Sequence, residues 1–195
     1  MTRLLIATTN PGKQREFRRL LADLPAELVT PDDIGLALEV DEPHDTYEAN
    51  ASAKAEAFAR ASGLLTMADD SGIEVAALDW GPGVRSARWG GGRNAERVLE
   101  ALGPEPDRRA RMVCAVAVAR PDRTGVAVET FGGVVDGTVA TEERGSGGFG
   151  YDPIFLLADG RTTAELPEAE KDRLSHRGRA VASAVPHLLE LLRAD

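Results

Sequence analysis

Arg3-Leu4-Leu5-Ile6-Ala7-Thr8-Thr9-Asn10-Pro11-Gly12-Lys13-Gln14-Arg15-Glu16-Phe17-Arg18-Arg19-Leu20-Leu21-Ala22-Asp23-Leu24 contains a whole strand, turn and helix. Residues 3–8 are a short apolar run of the kind a buried strand shows, and Thr9-Asn10-Pro11-Gly12 is a cluster of turn formers. From Lys13 onward Phe17, Leu20, Leu21 and Leu24 recur at spacings of three and four, which predicts an amphipathic helix ending near Pro25. A strand passing through a tight turn into a helix is the opening unit of an α/β fold.

Working outward, residues 27–30 suggest a second short strand, and residues 31–45 are an acidic, turn-rich connection without a clear period. Thr46 or Asp45 caps the next helix, whose repeating face is Tyr47, Ala51, Lys54, Ala55 and Phe58, and Gly63 stops it. Residues 64–68 read as a strand ending on Asp69-Asp70-Ser71-Gly72. Residues 80–93, with both tryptophans and two glycine clusters, read as irregular; residues 94–102 read as a helix closed by Gly103-Pro104. Residues 111–120 and 125–135 are β-rich runs around Pro121-Asp122-Arg123-Thr124, so an antiparallel hairpin is expected and the sheet is mixed. A glycine-dense loop, Gly145 to Pro153, precedes a strand at 154–157, and the tail from Ser175 is helical, with Pro186 expected to kink or split it. The expected fold is α/β, a single domain over residues 1–195 with one mixed sheet flanked by helices.

The chain has 195 residues, 43% apolar, which suits one domain with a sizeable core. Its formal charge of −9 repels phosphate polymers, so DNA and long RNA are not expected partners. One cysteine, Cys114, within an apolar run, excludes a disulfide framework and a thiol-rich metal site. No run approaches the ~18 apolar residues of a membrane span, and the N-terminus lacks signal-peptide features. A cytoplasmic protein without a membrane partner is expected.

Of the 23 basic residues only three are lysines, Lys13, Lys54 and Lys171. A compact ammonium reaches a phosphate oxygen where a planar guanidinium does not fit, so each lysine in an arginine-rich chain asks for a reason. Lys13 lies at a helix start with Thr8, Thr9, Asn10, Pro11 and Gly12, where backbone N–H groups and the helix dipole favour an anion. The alternative is an ordinary capped turn with a solvated lysine. Asp69 and Asp70 are adjacent carboxylates that point to opposite faces of an extended strand, and Glu39-Val40-Asp41-Glu42 adds further oxygen ligands for a hard cation such as Mg²⁺. A carboxylate beside such a metal also orients or deprotonates water. The glycines around Phe149 let the backbone approach a ligand, and Phe149 either stacks on a base or plugs the core. His176 and Arg177, behind a Ser175 cap, are donors suited to a purine oxygen at C6. Phosphate donors, metal ligands, an aromatic platform and base-reading donors together describe a nucleoside triphosphate site.

At this point the sequence resembles the inosine triphosphate pyrophosphatase family. The resemblance rests on Thr8-Thr9-Asn10-Pro11-Gly12-Lys13 with Glu16, Thr46-Tyr47-Glu48-Ala49-Asn50-Ala51 with Lys54, Ala68-Asp69-Asp70-Ser71-Gly72, Pro82-Gly83-Val84-Arg85-Ser86-Ala87-Arg88, Gly147-Gly148-Phe149-Gly150-Tyr151-Asp152-Pro153 and Ser175-His176-Arg177-Gly178, and it spans residues 3 to about 190. It implies Mg²⁺-dependent cleavage between the α and β phosphates of inosine or xanthosine triphosphate and their deoxy forms. The products are the nucleoside monophosphate and pyrophosphate, which clears deaminated purines from the nucleotide pool. It also implies two lobes around a central substrate cleft on an elongated sheet, and a homodimer. Carried over by residue, Thr8 to Lys13 hold the triphosphate, Asp70 binds metal and accepts a proton from water, and Ser71 touches substrate. Phe149, Gly150, Tyr151 and Asp152 sandwich and orient base and sugar, and Lys171, His176 and Arg177 complete the base and phosphate contacts. The acidic metal ligand before Thr46 carries a one-residue shift, so Asp41 and Glu42 are both candidates. Residues 90–94 are shorter than in the family.

Two rivals remain. The septum-inhibitor type of nucleotide pyrophosphatase shares the reaction, but the motifs at Phe149 and Ser175 speak against it. A module that senses triphosphate without cleaving it is distinguished by binding without Mg²⁺-dependent pyrophosphate release.

Overall fold

The computed structural model describes residues 2–194, and the first helix shows how local chemistry sets its elements. Asn10 is the N-cap, its side chain accepting from the Gly12 and Lys13 N–H groups, and Pro11 occupies the first helical position, where no N–H is needed. In chain order the elements are β1 (Arg3–Ile6), α1 (Pro11–Leu20), β2 (Glu27–Val29), α2 (Tyr47–Ser62), β3 (Leu65–Val75), β4 (Gly81–Pro82), α3 (Ser86–Trp89), α4 (Asn94–Leu102), β5 (Arg109–Pro121), β6 (Val126–Val139), β7 (Phe155–Leu156), α5 (Glu168–Leu174) and α6 (His176–Ala194). Thr46 caps α2, and Gly63 ends it in the left-handed conformation.

The strands form one mixed sheet in the order β2-β1-β3-β5-β6-β7, with β4 paired to β3. β1 is parallel to both β2 and β3, whereas β3/β4 and β6/β7 are antiparallel. β5 and β6 are neighbours joined by residues 122–125, a connection short enough only for an antiparallel pair. The Asp122 carboxylate accepts from the Thr124 and Gly125 N–H groups and closes that turn.

The chain divides into two compact units. The first comprises residues 1–70, 114–133 and 180–195. Its core joins Leu4 and Ile6 of β1, Leu65 and Met67 of β3 and Cys114, Val116 and Val118 of β5 to Phe17 of α1 and Ala180, Val181, Ala184 and Leu188 of α6. Alternation along β3 then sends Asp70 to the other face, where Asn50 of α2 meets it. The second unit comprises residues 71–113 and 134–179. Its core packs Ile73 and Val75, Ala110 and Met112, and Val135 and Val139 against Ala95, Val98 and Leu102 of α4, with Tyr151, Ile154 and Phe155.

Several expectations are corrected. β3 does not end at Asp69 but runs through to Val75, because Ile73 and Val75 are core residues of the second unit and Gly72 makes no turn. The region expected to be irregular holds β4, a 3-10 turn at Gly83–Arg85 and α3. The strand expected at 154–157 is β7 alone, since Asp152–Ile154 is a 3-10 turn. β5 is longer than expected at both ends, β6 starts at Val126 and runs on to Val139, and α1 stops at Leu20. α5 had no periodic signal. Pro186 lies inside a continuous α6; core contacts of Ala184 and Leu188 on either side hold the helix across it. Among the described residues no helix is long and apolar enough to cross a membrane.

Candidate functional site

In the first unit, α1 and β3 bring Lys13 to Asp69. Lys13 Nζ lies 3.0 Å from Asp69 Oδ2, with the aspartate side chain fully buried. Cys114 Sγ stands 3.9 Å from the same oxygen. On the opposite face Asp70, also buried, accepts a hydrogen bond from Asn50 Nδ2 at 3.0 Å. Burial pushes the Asp70 carboxyl above the usual aspartate range; the Asn50 hydrogen bond opposes this, the Glu42 charge adds to it, and Lys13 and Lys54 pull it back. Asp70 is thus a carboxylate whose charge is costly and which two ammonium groups support, a setting suited to proton exchange with water.

The acidic segment separates its two candidate ligands. Glu42 is half-buried, ion-paired with Lys54 of α2, and close enough to Asp70 to act on its charge. Asp41 is exposed. Among the described residues no three His, Cys, Asp or Glu side chains gather into a metal cage. Glu42 and Asp70 are all-oxygen donors, and a hard cation that keeps waters and takes substrate phosphates as ligands needs one or two such carboxylates. The donor set fits Mg²⁺ on that chemistry.

The turn before α1 works differently from its sequence reading. The Gly12 and Lys13 N–H groups expected to meet an anion are taken by Asn10 Oδ1 at 2.8 and 3.2 Å, and Pro11 has none. The Asn10 N–H donates to Thr8 Oγ1, and Gln14 Nε2 holds the Thr8 carbonyl at 2.8 Å. The turn is therefore pre-shaped by its own side chains. Its means of holding an anion are the Lys13 ammonium, the Thr8 and Thr9 hydroxyls and the amide of exposed Asn10.

In the second unit the glycine loop and α5 build a second charged group around Asp152. Asp152 is buried and accepts from Lys171 Nζ at 2.5 Å, the Phe149 N–H at 2.7 Å and Thr163 Oγ1 at 2.8 Å. Gly148 makes room for it: its φ is +69° and a Cβ there would lie 2.1 Å from Asp152 Oδ2. Gly148 thus makes its close approach to Asp152, and Gly145 and Gly147 make theirs to the Ala164 backbone. Phe149 does not plug the core. Half-exposed, it has Lys171 Nζ 5.2 Å and Arg177 Cζ 5.6 Å from its ring centroid. Arg177 Nη2 donates to Ser71 Oγ at 2.9 Å, and His176 is buried beside Arg177 at the start of α6, where Ser175 Oγ accepts from the Gly178 N–H. Gly150 is exposed, with φ +63°. Tyr151 stands in the hydrophobic core with its hydroxyl donating to the Ser86 carbonyl at 2.8 Å, and burial pushes its pKa up to about 12.

All three lysines thus end on a carboxylate, Lys13 on Asp69, Lys54 on Glu42 and Lys171 on Asp152, with side chains 16%, 16% and 6% exposed. Lys54, Asn50, Asp69 and Thr163 join the predicted residues. The lysine scarcity pointed to Lys54; Asn50 stood within the Thr46–Ala51 motif without a role, and its partners Asp70 and His44 lie 20 and 6 residues away in the chain.

The profile of the Ham1 family matches residues 4–187. The sequence is 47% identical over 197 residues, 97% of this chain and 96% of the other, to a dITP/XTP pyrophosphatase of Symbiobacterium thermophilum. It is 43% identical to a dITP/XTP pyrophosphatase of Anaeromyxobacter dehalogenans, over 97% of this chain and 98% of the other. In three dimensions it is similar to a HAM1 protein from Coxiella burnetii, with TM-score 0.83 and 35% identity over the whole of both chains. It is also similar to the nucleoside-triphosphatase / dITP/XTP pyrophosphatase of Mycobacterium abscessus, with TM-score 0.73 and 41% identity over 95% of this chain and all of the other.

Proposed function

The chain belongs to the Ham1 family, and we propose on that premise that it hydrolyses deaminated purine nucleoside triphosphates, ITP, dITP and XTP, to the monophosphate and pyrophosphate in a Mg²⁺-dependent reaction. The observation that carries this reading is the setting of the buried Asp70 carboxylate, which takes a hydrogen bond from Asn50 and on which the charges of Glu42, Lys13 and Lys54 act, with Lys54 paired to Glu42. Glu42, rather than exposed Asp41, would join Asp70 in holding the metal, which would supply positive charge that offsets the phosphate oxygens and the leaving pyrophosphate.

Asp70 accepts a proton from the water that attacks the α-phosphorus. The new bond is water oxygen to α-phosphorus, and the bond that breaks joins the α-phosphorus to the bridging oxygen, which leaves with pyrophosphate. Asp69 fixes the Lys13 ammonium, which with Thr8, Thr9 and Asn10 holds phosphate oxygens in place before and during the displacement. Phe149 offers its ring to the base, while Lys171, His176 and Arg177 present donors to an oxygen at C6; Asp152 orients Lys171 and Phe149, Arg177 sets Ser71, and Tyr151 supports the loop from the core. Donors aimed at C6 reject the amino group of adenine, since a mismatched buried donor is left unpaired.

The reading is tested by following pyrophosphate release from ITP, dITP, XTP, GTP, ATP and dTTP with and without Mg²⁺. Fast metal-dependent release from the first three alone is expected. Release from another base overturns the base assignment, and ITP binding without release favours a sensor. The same reading expects a cytoplasmic homodimer, with light scattering on the purified chain as the check on assembly.

A further inference from the structure

Asn50 stands in the first turn of α2 with its side chain completely buried, a costly place for an amide unless its polar atoms find partners. Nδ2 donates to Asp70 Oδ2 at 3.0 Å and to the His44 carbonyl at 3.2 Å, while Oδ1 accepts from the His44 N–H at 3.0 Å. Turning the amide over would set Oδ1 against a carboxylate and a carbonyl oxygen, so the partners allow one orientation. His44 is gripped at both backbone groups as a neighbouring strand would grip it, although residues 36–46 form neither helix nor strand. Two residues before His44 is Glu42, whose partner Lys54 lies one turn along α2 from Asn50. α2 therefore holds the acidic loop at two points, and the one at Asn50 is shared with Asp70.

We propose that Asn50 is a positioning residue whose single amide ties the loop carrying Glu42 to the Asp70 carboxylate, so that the two acids stand at a constant separation; this rests on the reading of Glu42 and Asp70 as the metal-holding pair. A neutral donor suits the task. A cation at position 50 would neutralise Asp70, and an aspartate there would add a third negative charge beside Glu42 and Asp70. Outer residues that orient metal ligands are commonly worth about 10–100-fold in metal affinity or activity.

The test compares wild type with Asn50→Ala in three readouts: Mg²⁺ dependence of pyrophosphate release from dITP, the KM and kcat for dITP, and amide hydrogen exchange of residues 36–46 without nucleotide. Expected are faster exchange at His44 with β1 and α1 unchanged, a Mg²⁺ midpoint raised about tenfold, kcat lowered about 10–100-fold, and KM for dITP within about twofold. A Mg²⁺ midpoint and kcat both within about twofold of wild type overturn the proposal even if the loop loosens, and so does unchanged exchange at His44. Should Asn50→Ala fail to fold, Asn50→Leu, which keeps the volume and has no donor, is judged by the same criteria. If wild type itself shows no metal-dependent release, the functional reading fails, and the exchange at His44 still decides whether Asn50 holds the loop.

Discussion

Lys171→Met removes the ammonium from the buried Lys171–Asp152 ion pair of the second unit and keeps most of the side-chain volume. Lysine and aspartate side chains are only 6% and 3% exposed, so solvent screens their interaction little. The substitution leaves the Asp152 carboxylate buried with two of its three donors, the Phe149 N–H at 2.7 Å and Thr163 Oγ1 at 2.8 Å. Removing one member of a buried pair typically costs about 3–5 kcal/mol, and the two retained donors place the expected loss at the lower end, about 3 kcal/mol. At about 2–4 °C per kcal/mol for a chain of this size, the Tm falls by about 6–12 °C. Urea unfolding followed by circular dichroism without nucleotide measures the loss, and an unchanged m-value shows that the same surface is exposed. Adding Asp152→Asn removes the stranded charge, so the double variant recovers stability, with a coupling energy of about 1–3 kcal/mol. The reasoning is refuted if Lys171→Met costs less than about 1 kcal/mol, the range of a surface pair, and is additive with Asp152→Asn.

Asp70→Asn is expected to abolish turnover while raising Tm at pH 7. The folded-state pKa of Asp70 lies above its unfolded value, so its contribution to stability is complete below the unfolded pKa of about 3.9 and is lost as pH rises through the folded value. The Tm gap over wild type therefore narrows from pH 7 toward about pH 4, and a widening gap contradicts the assignment. Lys13→Ala is expected to weaken triphosphate binding by about 10–100-fold, the worth of one charge-assisted contact, with the ITP-to-ATP ratio unchanged in isothermal titration. Arg177→Ala is expected to narrow the kcat/KM gap between ITP and ATP by about tenfold or more; an unaltered ratio removes Arg177 from base reading. Phe17→Ala, in the core of the first unit, is expected to cost about 3–5 kcal/mol in urea unfolding, since Phe17 is fully buried.

Local order was legible wherever a few neighbouring residues settle it. Thr46 and Gly63 delimit α2, Asn94 and Gly103 delimit α4, and the four-residue turn between β5 and β6 follows from its composition, because caps, periodicity and turn chemistry act within about one helical turn. The scarcity of lysine located three ammonium groups that all proved to be paired with acids. The alternation of Asp69 and Asp70 to opposite faces followed from strand geometry alone.

Other features came only with tertiary contact. β3 continues past the aspartate pair because Ile73 and Val75 enter a core built with residues from 95 to 155, and α6 persists through Pro186 because its apolar face is held on both sides of it. That Glu42 is paired with Lys54 and acts on Asp70 while Asp41 is exposed came only with packing, and so did the amide of Asn50 that joins positions 44 and 70. Composition, periodicity and motif thus determined the elements and the kinds of chemical group the chain carries. Which of those groups meet was decided by packing, because burial and pairing energies arise between residues that are distant in the chain and leave no mark on the sequence around either one.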